Sequence, residues 1–94
     1  HQTVLPKYYI KGHAFDDLNE PIILGTVAVY SQGLLIKGVE TDFDGAFFMT
    51  LDSAYIDGTI ELSYVGYQTQ IFSLNEYINK EAKATIIHGH GRIA

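Results

Sequence analysis

Residues 41–47 read Thr-Asp-Phe-Asp-Gly-Ala-Phe, with two carboxylates two positions apart directly before a glycine. That spacing opens the pattern of a calcium loop, D-x-D-G. A complete EF-hand loop takes ligands at positions 1, 3, 5, 7 and 9 and a bidentate acid at position 12. Counted from Asp42, position 5 is Ala46, position 7 is Phe48 and position 12 is Ser53. Ala46 has no ligating side chain, Phe48 would offer only its carbonyl, and Ser53 cannot act as the bidentate acid. The same residues also read as a hairpin turn, in which Asp caps backbone N–H groups and Gly45 supplies the φ that other residues resist. The turn is the expectation, with a cation site at Asp42 and Asp44 as the alternative. An acid–base pair would need one carboxylate kept protonated by burial, and a solvated turn gives no such environment.

Histidine is the second chemical candidate. His88 and His90 alternate, so on a strand they would share a face and could clamp a metal. They need a third ligand, for which His13 is the remaining interior histidine. Gly89 and Gly91 point instead to a flexible or solvated end. No catalytic, cofactor-binding or metal-ligating residue is therefore assigned, and no cofactor is expected. Tyrosine is the third candidate: Tyr64 and Tyr67 flank Gly66. Either Tyr67 is presented at an edge for a partner, or Gly66 marks a β-bulge with both rings packed and their hydroxyls at the rim. The packed arrangement is expected, and Tyr8, Tyr9 and Tyr55 are the better candidates for exposed contact.

The chain that positions these groups has 94 residues, enough for one domain with one modest core. Apolar residues make up 47% of it, which argues against disorder. The formal charge is −5, and the basic residues Lys7, Lys11, Lys37, Lys80, Lys83 and Arg92 are scattered. Nucleic acid and anionic membrane surfaces are disfavoured, because both need clustered positive charge. Cysteine is absent, which excludes disulfides, thiolate metal sites and cysteine nucleophiles. No apolar run approaches the roughly 20 residues that span a bilayer. The chain starts at His1 without an initiator methionine or a signal-peptide pattern. A processed mature start, or a piece of something longer, is the expectation.

Turn formers recur at intervals suited to a sandwich or barrel. Strands are expected at 8–15, 23–31, 35–40, 46–51, 59–65, 67–73 and 83–88. Residues 74–81 form one helical turn or a loop. Seven short strands with almost no helix predict an all-β, antiparallel sandwich, with a core of Ile10, Val27, Val29, Phe47, Leu62 and Ile86. Residues 1–7 are expected as a lead-in, 8–88 as the sandwich and 89–94 as a flexible tail.

Three segments then resemble a known family. Gly12-His-Ala-Phe-Asp16 with Asn19, Pro21 and Ile22 is similar to the G-x-V-x-D-x-x-G-x-P-L opening of the carboxypeptidase-regulatory-like domains. Gly38, Thr41, Asp42, Gly45 and Phe47 resemble that family's G-x-x-T-D-x-x-G-x-F segment. Leu62-Ser-Tyr-Val-Gly-Tyr67 resembles its S-x-x-G-Y piece. Asn19 stands where glycine is common, and Leu24-Gly25 where Gly-Ala is usual. The resemblance covers about residues 10–87. It implies a seven-stranded, Greek-key, transthyretin-like (prealbumin-like) sandwich that is generally not catalytic. Such domains sit beside peptidases, in surface proteins, or at the periplasmic N-terminus of TonB-dependent outer-membrane receptors, although residues 88–94 do not resemble the segment leading into such a receptor's plug.

The expected function is a non-enzymatic accessory or docking module of a larger bacterial envelope protein, periplasmic or outer-membrane associated. Its partners would be other domains of that protein or another envelope protein, with no nucleic acid and no membrane insertion by this segment. A small carbohydrate- or calcium-binding sandwich, using loops near 42–44 and 52–57, is the alternative. A more remote one is a transthyretin-like hydrolase built on His13, His88, His90 and Arg92, although the Tyr-Arg-Gly-Ser ending of that enzyme family is missing here.

Overall fold

The computed structural model describes residues 7–78 and 81–85, with side chains described over 8–78. The described residues form strands β1 (Lys7–Phe15), β2 (Thr26–Ser31), β3 (Leu34–Glu40), β4 (Ala46–Asp52), β5 (Thr59–Ser63), β6 (Gln70–Ser73) and β7 (Glu81–Thr85). Two 3-10 turns, Ser53–Tyr55 and Leu74–Glu76, complete the set, and no α-helix occurs among the described residues. The strands make two sheets, ordered β4-β1-β7 and β3-β2-β5-β6.

Alternation places the core between the sheets. Successive strand side chains point to opposite faces, so Ile10 and Ala14 of β1 and Phe47, Met49 and Leu51 of β4 turn inward from one layer. Val27 and Val29 of β2 and Ile60 and Leu62 of β5 meet them from the other, in one continuous apolar cluster. Leu74, in the second 3-10 turn, closes the far end of that cluster and is fully buried. Burying a side chain of this size contributes roughly 1.5–3 kcal/mol. Its N–H also donates to Gly58 O at 3.0 Å, which ties the two connections at that end together.

Several expectations are corrected here. β1 to β6 pair antiparallel, but β7 pairs parallel to β1, with Lys11 opposite Glu81 and Phe15 opposite Thr85. The chain crosses from β6 to the other sheet at the far end, where β1 also starts, so β7 and β1 run the same way. The strand expected over 23–31 starts only at Thr26, because Leu24 sits at φ 61° and turns the chain. The strand expected over 59–65 ends at Ser63, and Tyr64 is exposed instead of facing the core with Ile60 and Leu62. The strand expected over 67–73 is only Gln70–Ser73. Lys7, expected in the lead-in, already pairs with Asp52. Residues 1–6, the core candidate Ile86 and the tail 89–94 lie outside the described residues.

The registers bring one set of loops together. Thr26 lies opposite both Glu40 and Ser63, and Ala46 lies opposite His13. The connections 16–25, 41–45 and 64–69 therefore emerge at the same end of the two layers.

Candidate functional site

The loop 41–45 has a complete internal hydrogen-bond scheme. Asp42 Oδ1 accepts the N–H groups of Asp44 at 2.8 Å and Ala46 at 2.9 Å. The Gly45 N–H donates to Asp42 O, and the Asp42 N–H donates to Ala46 O. Gly45 sits at φ 76°, and a Cβ there would lie 2.5 Å from Ala14 O, so both the conformation and the space require glycine. The expected turn is what the structure has. One oxygen of Asp42 is occupied by the backbone, and no group of three or more His, Asp or Glu able to hold a metal ion occurs among the described residues.

The first connection repeats this scheme atom for atom. Asp16 Oδ1 accepts from Leu18 N and Glu20 N, both at 2.9 Å. The Asn19 N–H donates to Asp16 O, and the Asp16 N–H donates to Glu20 O. Asn19 takes the place of Gly45, at φ 63°. Asn visits this region more readily than most residues, so it can do at position 19 what glycine does at position 45. The sequence signal shared by the two loops is Asp, two residues, then Gly or Asn; read as text alone, it passes for ordinary turn composition.

Thr41 joins these loops. It is the one buried polar side chain among the described residues, 1% exposed. Its hydroxyl accepts from Gly25 N at 2.8 Å and donates to Ile22 O at 2.5 Å. Its backbone completes the clamp: Thr41 N–H donates to Gly25 O, and Leu24 N–H donates to Thr41 O. Segment 22–25 is thus pinned by four hydrogen bonds to a single residue, which holds Leu24 in its left-handed conformation.

His13 and Asp42 come to one shallow groove of about 390 Å³, with Lys11, Glu40 and Phe48 also lining it. The His13 ring lies parallel to Phe15 at 6.1 Å, a packing role on the outer face of β1. His88, His90 and Arg92, the other members of the histidine set, lie outside the described residues.

The tyrosines meet the expectation in part: Tyr67 is packed and Tyr9 is exposed, but the bulge, a packed Tyr64 and exposed Tyr8 and Tyr55 are not found. Tyr64 to Tyr67 form a four-residue turn, closed by Tyr67 N–H on Tyr64 O, with Gly66 at φ 86°. A turn, not a bulge, therefore follows β5. Tyr67 packs against the core and Tyr64 lies 5.8 Å from its ring. Tyr8 and Tyr55 are half-buried, and Tyr9 stacks on Phe48 at 6.2 Å. Among the described residues the most exposed large apolar side chains are Val65 at 92%, Leu18 at 79% and Phe43 at 78%, none of them singled out by the sequence.

Comparison with models of known protein families gives no match, and comparison with curated proteins gives none either.

Proposed function

We propose that this chain is a non-catalytic, transthyretin-like sandwich of the carboxypeptidase-regulatory-like kind, with Greek-key connectivity, serving as a docking or spacing module in a larger protein of the bacterial cell envelope. The observation that carries this reading is how the chemically suggestive residues are used. Asp16, Thr41 and Asp42 each spend one side-chain oxygen on backbone groups that shape the connections 16–25 and 41–45. Asn19 and Gly45 supply the positive φ that these two connections need. These are residues of the motif resemblance, and each does architectural work. Rigid presentation of loops on a two-layer scaffold is what such residues accomplish. The envelope location is supported by the motif resemblance, and no described helix is long and apolar enough to cross a membrane.

The test is cross-linking in intact cells that produce the protein, followed by fractionation and mass spectrometry of species carrying this chain. The expected result is a chain in the envelope fraction, cross-linked to a defined envelope protein or to further domains of its own polypeptide. Recovery in the cytosol without a reproducible cross-link would overturn the proposal.

A further inference from the structure

The loop end of the sandwich combines two properties. Leu18, Leu24, Phe43 and Val65 stand 79%, 56%, 78% and 92% exposed there, with Ile23 and Tyr64 beside them at 38% and 36%. Single exposed apolar residues are ordinary on protein surfaces, but a contiguous group marks an interaction site. The same connections, 16–25, 41–45 and 64–69, carry Asp16, Asp17, Glu20, Asp42 and Asp44 and no lysine or arginine.

We propose that this end is the docking face of the module, and that its partner is a protein surface which is basic and offers apolar recesses; this rests on the docking function proposed above and names the face and partner class for it. Geometry places the tips within one footprint. The strands leading to Phe43 and Val65 are separated by β2 alone, a distance of about 10 Å at the usual strand spacing. Leu18 comes from the facing sheet, roughly 10 Å across the core. Tips spaced on that scale fall well inside the ~800 Å² that each partner contributes to a standard interface. Two of the three connections are preorganised: Asp16 and Asp42 fix their turns, and Thr41 pins segment 22–25 beneath Leu24. Less conformational entropy is then lost on binding. Charge selects among occupants. Carboxylates repel an anionic lipid surface and a second copy of the same end, and they steer a cationic protein surface toward the apolar tips.

The test is a ¹H–¹⁵N NMR titration of the full chain with a synthetic amphipathic Lys/Leu peptide. The expected shifts map to 16–25, 41–46 and 64–69. Kd is expected to weaken at least tenfold for a Phe43→Ser/Val65→Ser variant whose melting temperature is unchanged, and several-fold when NaCl rises from 50 to 500 mM. No shift at millimolar peptide overturns the proposal. Loop-end shifts with phosphatidylcholine vesicles but not with peptide overturn it in favour of a lipid surface. Concentration-dependent loop-end shifts without peptide overturn it in favour of self-association. Shifts along the β3 or β6 edge overturn the choice of face and leave the docking function standing. That function falls separately, by the cross-linking result described above.

Discussion

Thr41→Val is the sharpest probe of how the loop end is built. Valine matches threonine in shape and removes only the hydroxyl, so the packed volume is kept. Two hydrogen bonds disappear, to Gly25 N and Ile22 O, and both backbone groups remain buried. A buried donor or acceptor left unpaired costs roughly 1–3 kcal/mol. The pair therefore costs roughly 2–6 kcal/mol, a large share of the roughly 5–15 kcal/mol that holds a domain folded. Thr41→Ser keeps the hydroxyl and loses one methyl group, a cost of about 1 kcal/mol. The two variants thus invert the order that hydrophobicity predicts: wild type, then serine, then valine. Urea unfolding followed by tyrosine fluorescence measures this, since the chain has seven tyrosines and no tryptophan. For a domain of this size, 1 kcal/mol corresponds to about 4–8 °C in Tm, so valine should melt more than ~8 °C below wild type. Valine as stable as serine, or within 0.5 kcal/mol of wild type (about the scatter of a neutral surface change), would refute the clamp and leave Thr41 as packing alone.

Three further outcomes follow from the same geometry. Gly45→Ala meets both positive φ and Ala14 O and should cost about 2–4 kcal/mol, whereas Gly33→Ala, at φ 78° with nothing within 4 Å, should cost about 1 kcal/mol by the same urea titration. Leu74→Ala should cost roughly 2–5 kcal/mol, because it empties a fully buried site that closes the far end of the core. Calcium at millimolar concentration should leave Tm unchanged, since Asp42 Oδ1 already accepts two N–H groups; a rise of several degrees would show a bound ion.

Legibility followed the range of the interactions. The alternation of Phe47, Met49 and Leu51, and of Ile60 and Leu62, is visible in the chain and maps directly onto burial. The turn at 41–45 was also legible, because Asp and Gly act on their own backbone. Leu24 was not, since its φ of 61° is imposed by Thr41 from another connection and leaves no trace in the leucine itself. The parallel pairing of β7 with β1 joins strands about as far apart as the chain allows, and nothing in the residues of either strand encodes direction. Thr41 stood out as part of a motif, yet its burial depends on two sheets meeting over it. Phe43 and Leu18 read as turn residues and Val65 as the end of a strand, because exposure of an apolar side chain is a property of the assembled surface.

The twin Asp-x-x-Asn and Asp-x-x-Gly connections separate shape from identity. In each, the aspartate, the backbone and one positive-φ residue set the curve. The two intervening positions, Asp17-Leu18 and Phe43-Asp44, can change their side chains without rewriting it. Mutational drift can therefore retarget this tip through four codons while the scaffold beneath stays constant, and a display library diversified at those four positions would inherit a ready-made frame.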